Sequence, residues 1–373
     1  MAALRFVLAG GGTSGHINPA LAIADQILRD HPDAEIKFCG TARGLESDIV
    51  PRAGYSFTAI RASGLPGKPS LAMIRALADF SAGRRQCKSL LRSFSPNAVV
   101  GTGGYVCSPV VSAATSLKIP VLLHEQNAFP GRSNRLMARR SQAVCVSFPG
   151  TETFFLTQTK VIMTGNPVRA SFFSLTRQSS RNILRAKGDA LSEETCLVLF
   201  IGGSLGARNL NQAILGFDPG KAFSAGLRPD FRAILAAGRQ YADVLAAAKD
   251  KPWLDVREYI HDIDLYMAAA DLVVCRAGAM TCAELAALGR PSILIPYPHA
   301  AGDHQTYNAR ALVNAGAAIL CQDSRLSPEF LAESLPDLLT NRSRLDSMGA
   351  AAAKLARPNA ARDICDKLYE VML

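Results

Sequence analysis

The stretch LRFVLAGGGTSGHINPALAIA, residues 4–24, decides the fold. Leu4–Ala9 is a short apolar run that ends in glycines, which is how a buried β-strand reads. Apolar residues at helical spacing follow from Ile17 to Arg29, with Pro19 expected in the first turn, where proline is tolerated. Gly10–Gly15 is the turn between them and contains G-x-G-x-x-G. Glycines there permit positive φ and close backbone approach, and the N-terminus of the following helix offers unpaired N–H groups to an anion. A nicotinamide or flavin enzyme of this type also needs an acidic residue at the end of the second strand to hold a ribose. Here the second strand, Glu35–Cys39, runs into Gly40-Thr41, so that class loses ground.

The same pattern repeats outward. Asn97–Val100 leads into Gly101-Thr102-Gly103-Gly104, and Pro120–Leu123 leads into His124-Glu125-Gln126-Asn127. After a turn at Gly165-Asn166-Pro167, the segment Ser171–Glu194 is polar and weakly patterned, as a connection would be. The pattern then restarts with Cys196–Ile201 and Gly202–Gly206, and further strands fit Arg232–Ala236, Asp271–Cys275 and Ser292–Pro296. Alternating strands and helices imply parallel sheets covered on both faces. The expected architecture is α/β, with two Rossmann-like parallel-sheet domains facing a deep cleft. The first covers residues 1–165 and the second 166–345. A C-terminal helical segment, 346–373, is expected to pack back toward the first domain.

Composition sets outer bounds. The 373 residues are 49% hydrophobic and 19% charged, which excludes disorder as the main state. Lys and Arg number 41 against 31 Asp and Glu, a net charge of +10 that points to an anionic partner. Nine Cys are scattered without a C-x-x-C pair or zinc spacing, which fits reduced thiols in a cytosolic enzyme. The N-terminal apolar run is too short for a signal peptide, and no stretch reaches the ~18 apolar residues of a membrane span. One Trp, no aromatic–basic repeat and no binding motif argue against nucleic acid.

Several residues stand out chemically. His16 follows the first glycine loop at the start of a helix, where the dipole favours a neutral imidazole. It is either a helix cap or a general base. His124 and Glu125 follow a buried strand and read as structural. Three glycine turns at strand ends suit a ligand with two or more phosphates, although each alone is explained by a tight turn. No G-K-[ST] follows them, so a P-loop phosphoryl transfer is unsupported. In Arg276–Glu284, Thr281 and Glu284 form S/T-x-x-E. The pair is either a capping box or part of a loop whose N–H groups face a diphosphate while Glu284 accepts ribose hydroxyls. The polar loop Pro296–Gln305 contains His299, Asp303, His304 and Gln305, suited to sugar hydroxyls or phosphate. Leu71, Ile74, Leu77 and Phe80 recur every third residue beside Arg75, Arg84, Arg85, Lys88 and Arg92. They form either a solvated helix face or a patch that rests on an anionic membrane.

In this order the motifs resemble the lipid I N-acetylglucosaminyltransferases of the GT-B superfamily. The matching stretches are GGGTSGHINPALAIA at 10–24, GTGGYV at 101–106, HEQN at 124–127, GNPVR at 165–169, GGSLGARNLN at 202–211, CRAGAMTCAELAALGRP at 275–291 and HQTYNA at 304–309. The resemblance implies inverting transfer of N-acetylglucosamine from its UDP donor to the muramyl 4-hydroxyl of lipid I, with no cofactor or bound metal. It places His16 as the base and Thr13, Ser14, Gly15, Gly103, Gly104, Tyr105 and Asn127 on the acceptor side. On the donor side it places Arg169 and Ser204 at phosphate, Ile260 at uracil, and Ala279, Met280, Thr281, Cys282 and Ala283 along the diphosphate loop. Glu284 would meet the ribose, and His304 and Gln305 the sugar hydroxyls. It further implies a peripheral position on the cytoplasmic face of the inner membrane and other cell-wall synthesis proteins as partners. Ser14 stands where that family usually has glycine, and His304-Gln305 where it often has Gln-Gln. A related enzyme with another acceptor, and a nucleotide-sugar-binding module without turnover, are the alternatives.

Overall fold

A computed structural model of the chain describes residues 3–66, 68, 70–203, 206–223 and 230–373. It divides into two units, one made of the chain up to Val168 together with Arg357–Leu373, the other of Arg169–Ala356.

The first unit is built on β1 (Arg5–Gly10), β2 (Glu35–Gly40), β3 (Ser56–Ala59), β4 (Ala98–Gly103), β5 (Val121–Glu125), β6 (Ala143–Val146) and β7 (Val161–Met163). They form one parallel sheet in the order β3-β2-β1-β4-β5-β6-β7. Phe6, Val7, Leu8 and Ala9 have no exposed surface, as expected of a strand covered on both faces. Helix Ser14–Asp30 lays Ile17, Ala20, Ile23, Ala24 and Ile27 on one side of the sheet. It begins three residues before Ile17, so Pro19 falls in its second turn rather than its first.

The C-terminal stretch expected as one helical segment is two helices, one in each unit. Arg342–Ala353 belongs to the second unit, and Ala360–Glu370 packs beside Ser14–Asp30 in the first. Pro358 separates them, since its ring disfavours helical geometry for Arg357 and removes an N–H donor.

The second unit contains β8 (Cys196–Ile201), β9 (Phe231–Ala236), β10 (Leu254–Arg257), β11 (Leu272–Cys275), β12 (Ser292–Leu294) and β13 (Ala318–Leu320). The order is β10-β9-β8-β11-β12-β13, again all parallel. In each sheet the order reverses beside the first strand, between β1 and β4 and between β8 and β11. Connections there leave in opposite directions and open a crevice at the carboxyl edge, which is where such sheets bind ligands.

Ser171–Glu194, expected as a polar connection, is instead largely folded. It holds helices Ser171–Ser174 and Arg177–Ala186, the latter capped by Thr176 and Ser179. The pattern was misleading because its anchor is an arginine. Arg181 is fully buried and donates from Nη2 to Asp271 Oδ2 at 2.8 Å, from Nε to the Ala269 carbonyl at 3.0 Å and from Nη1 to the Ser192 carbonyl at 2.8 Å. Asp271 also accepts from Arg177 Nε at 2.8 Å, Arg342 Nη1 at 3.2 Å and the Leu197 N–H at 2.9 Å. A charge buried this way is tolerated only because it is paired and fully hydrogen-bonded.

Candidate active site

Each unit carries a half-site at the carboxyl edge of its sheet. In the first, the loops after β1 and β4 pack backbone against backbone. A Cβ on Gly104, which sits at φ +78°, would lie 2.2 Å from the Gly11 carbonyl oxygen. The first loop is fixed from below by Glu46, a residue the sequence reading missed. Its buried carboxylate accepts from the Gly12 N–H at 3.0 Å, the Thr41 N–H at 2.9 Å and the Thr41 hydroxyl at 2.8 Å. Burial pushes its pKa up, but the Thr41 and Gly12 donors outweigh burial and hold the carboxyl below its ordinary range. An acid sought at the end of β2 for a ribose therefore stands a few residues later, turned inward to hold the glycine loop.

Thr13 is the N-cap of helix Ser14–Asp30, extended and without a side-chain cap bond. Thr13 and Ser14 are exposed, while Gly15, His16 and Tyr105 are half-buried around the loop. His16 does not cap the helix through its side chain. Its Nδ1 lies 3.1 Å from the Thr102 carbonyl oxygen and 2.9 Å from Gln126 Oε1. Thr102 Oγ1 donates back to the His16 carbonyl at 2.7 Å. Gly103, at φ +108°, passes so close to the ring that a Cβ there would sit 2.9 Å from His16 Nδ1.

His124 and Glu125 lie within β5, both buried. Glu125 Oε1 accepts from the N–H and side-chain amide of Asn127 at 3.0 and 3.1 Å. Its Oε2 accepts from the Gly131 N–H and Asn134 Nδ2, each at 2.9 Å. Glu125 thus shapes the loop that presents Asn127.

The second half-site lies at the ends of β8 and β11. Gly203 and Gly206 take positive φ, and Ser204 lies outside the described residues. Helix Ala279–Leu288 starts with Gly278 as N-cap, so Ala279, Met280 and Thr281 form its first turn. Of the two readings of Thr281 and Glu284, the capping box is absent, because Thr281 lies three positions beyond the N-cap, Gly278. Cys282 is buried, Ala283 is half-buried, and Glu284 lies in the second turn.

The Glu284 carboxylate makes no hydrogen bond among the described residues. Burial pushes its pKa up to about 7, with the Arg169 cation pulling it down and Asp264 pushing it up. Arg169 stands 3.8 Å from Asp264 and over the Phe172 ring. Asp323 pairs with Arg276 at 2.5 Å and accepts from Asn209 Nδ2 at 2.6 Å, joining the turn after β11 to helix Arg208–Gly216. Ile260 is buried in the loop after β10.

His304 and Gln305 open helix His304–Asn314. His304 Nδ1 donates to the Ala301 carbonyl at 2.9 Å, and Gln305 Oε1 accepts from the Tyr297 N–H at 2.9 Å. Asp303 takes a left-handed φ of +56° before them, and His299 is exposed. Among the described residues, no three His, Cys, Asp or Glu are grouped to hold a metal ion.

The basic apolar stretch is helix Leu71–Phe94. Leu71, Ile74 and Leu77 are 85%, 66% and 52% exposed. Phe80 and Arg84, expected on the same face, are half-buried, while Arg85 is exposed. A three-residue step falls about 60° short of a full turn, so nine residues carry Phe80 to the side opposite Leu71. The core-facing stripe is instead Ala76, Gly83, Cys87, Leu91 and Phe94. Among the described residues, no helix is long and apolar enough to cross a membrane.

The chain is similar over nearly its whole length to proteins that carry names. A protein of Desulforudis audaxviator named UDP-N-acetylglucosamine–N-acetylmuramyl-(pentapeptide) pyrophosphoryl-undecaprenol N-acetylglucosamine transferase is 43% identical, with 97% of each chain covered. One of the same name from Acetivibrio thermocellus is 38% identical over 99% of this chain and 98% of its own. The crystal structure of Acinetobacter baumannii MurG superposes with a TM-score of 0.78 at 30% identity, covering 99% of this chain and 100% of that one. Two Rossmann-like parallel sheets with this likeness make the fold GT-B in type. The glycosyltransferase family 28 N-terminal domain matches residues 6–146 and the C-terminal domain of the same family matches 197–364. The chain belongs to glycosyltransferase family 28.

Proposed function

We propose that this enzyme transfers N-acetylglucosamine from UDP-N-acetylglucosamine to the muramyl 4-hydroxyl of undecaprenyl-pyrophosphoryl-N-acetylmuramyl-pentapeptide (lipid I), inverting the anomeric centre and forming lipid II. The observation that carries this reading is likeness over nearly the whole chain to relatives named for that transfer. In the reaction, the acceptor oxygen attacks the anomeric carbon from the face opposite UDP. Its proton passes to His16 Nε2, and the electron pair of the breaking C–O bond goes to the β-phosphate oxygen. Charge developing on the diphosphate meets the positive end of the helix that begins at Ala279, together with Arg169. His304 and Gln305 stand at their own helix start for the sugar hydroxyls. Incubation with UDP-N-acetylglucosamine and a short-chain lipid I analogue should release UDP and yield the disaccharide. Donor binding without turnover would identify a nucleotide-sugar-binding module instead.

Glu284 is the ribose ligand in this reading, which gives a pH dependence. Only the ionised carboxylate accepts from both ribose hydroxyls, and burial holds its pKa near 7 when the donor is absent. The sugar nucleotide itself carries no group that titrates between about pH 6 and 8, so the donor Kd should fall as pH rises through that range and then level off. Glu284→Gln should flatten this profile and weaken binding on the order of tenfold at pH 8, the scale of a hydrogen bond to a charged group. Calorimetric titration with UDP-N-acetylglucosamine reads both effects. A flat wild-type profile would remove Glu284 from the ribose.

In this reading the enzyme works from the cytoplasmic face of the inner membrane, where the acceptor's lipid would be held. Leu71, Ile74 and Leu77 would enter the headgroup region, with Arg75 and Arg85 beside them facing anionic phosphates. Ile74→Glu combined with Leu77→Glu should weaken binding to anionic vesicles about tenfold or more, from the apolar area withheld from the bilayer. Turnover of a water-soluble acceptor should not change. Undiminished vesicle binding would move the contact elsewhere.

A further inference from the structure

Two polar side chains, His124 and Gln126, run in series through the first unit to His16, and each link permits one direction only. His124 Nε2 lies 3.0 Å from the Gly165 carbonyl oxygen, which can only accept, so this nitrogen carries a hydrogen. Burial pushes the His124 pKa down to about 4, leaving the ring neutral with a lone pair on Nδ1. One end of the Gln126 amide is 2.9 Å from that Nδ1 and 3.1 Å from the His124 carbonyl oxygen. Both are acceptors, so this end is the NH₂ group and the other end is the oxygen. That oxygen faces His16 Nδ1 at 2.9 Å, and the Thr102 carbonyl faces the same nitrogen at 3.1 Å. Two acceptors on one ring nitrogen require it to be N–H.

We infer that His124 and Gln126 are positioning residues that hold His16 in its Nδ1–H tautomer, so that Nε2 presents a lone pair to the acceptor hydroxyl. The inference rests on the reading of His16 as the base. A free histidine side chain in water favours the opposite tautomer, with hydrogen on Nε2. An unlocked His16 would often present a donor where the reaction needs an acceptor. The Thr102 carbonyl opposes that tautomer alone, and Gln126 adds a second acceptor whose orientation is fixed by His124 at its far end. Buried polar chains of this kind specify one arrangement because every alternative leaves an unpaired group. The sequence motif HEQN thereby divides its labour. His124 and Gln126 serve the base, while Glu125 shapes the loop of Asn127.

The test begins with the wild-type enzyme, which needs no substitution to fold. Long-range ¹⁵N–¹H imidazole spectra of protein labelled at its six histidines, assigned with His16→Gln and His124→Gln, report each tautomer. The expected result is Nδ1–H at His16 and Nε2–H at His124; Nε2–H at His16 overturns the proposal. Gln126→Leu should give a mixed tautomer at His16 and lower kcat on the order of tenfold with the donor KM unchanged, a smaller loss than the wrong-tautomer case because Thr102 remains. If Gln126→Leu leaves either the tautomer or kcat at its wild-type state, the proposal fails. Full kcat in His16→Ala would instead sink the base reading, and the wild-type spectrum would still decide the tautomer on its own.

Discussion

Replacing His16 with alanine should lower kcat by about 10²- to 10⁴-fold, the usual contribution of a positioned general base, and leave the donor Kd within a few-fold of wild type. The asymmetry follows from where the groups are. The proposed donor ligands, Arg169 to Gln305, all belong to the second unit, whereas His16 belongs to the first. The His16 side chain is held at Nδ1 by two acceptors, so its loss frees a backbone carbonyl and an amide without touching a donor ligand. Steady-state kinetics with both substrates varied, alongside calorimetric titration of the donor, separates the two effects. A variant with full kcat would reject the base. A variant with weakened donor binding and proportionate loss of activity would make His16 a binding residue.

The second large effect concerns stability. Asp271→Ala should destabilise the second unit by about 3–5 kcal/mol, the cost of leaving a buried charge without its partner. Arg181 would remain fully buried with its Nη2 unpaired, and the Leu197 N–H would lose its acceptor in the core of the sheet. Arg342→Ala removes another partner of the same carboxylate, yet Arg342 is 62% exposed and should cost no more than about 1 kcal/mol. Denaturant unfolding followed by loss of UDP-N-acetylglucosamine binding reports on the second unit. Equal losses for the two variants would show that the network acts as a surface ion pair and not as a buried anchor.

The strand–glycine–helix units were legible because their signals coincide. A buried parallel strand must be apolar on both faces, and its turn must be small enough for close backbone contact. Leu4–Gly15 and Cys196–Gly206 meet both conditions. The short strands β3, β6, β7, β10 and β13 were not read. Each has only three or four residues, too few for a period to show, and Ser56–Ala59 and Val161–Met163 contain no fully buried residue.

Polar residues with interior roles were the harder class. Arg181 and Glu46 look like surface charges in sequence, and only their partners, Asp271 and the Gly12 and Thr41 amides, reveal otherwise. Thr281 and Glu284 satisfied a capping pattern whose true start was Gly278. The direction of the hydrogen bonds between His124, Gln126 and His16 depends on the Gly165 and Thr102 carbonyls, which lie distant along the chain.

Helix Ala360–Glu370 has a consequence for how the protein is made. Phe6, Leu8 and Ile17 share a core with Ile364, Cys365 and Leu368. Synthesis runs from the N-terminus, so the first sheet emerges from the ribosome long before the helix that covers it. The whole second unit is translated in the interval. During that time the part of this sheet face that helix Ser14–Asp30 leaves uncovered waits for a cover that is made only after the second unit. Newly made protein should therefore pass through a stage in which its C-terminal half is folded and its N-terminal half is still sticky.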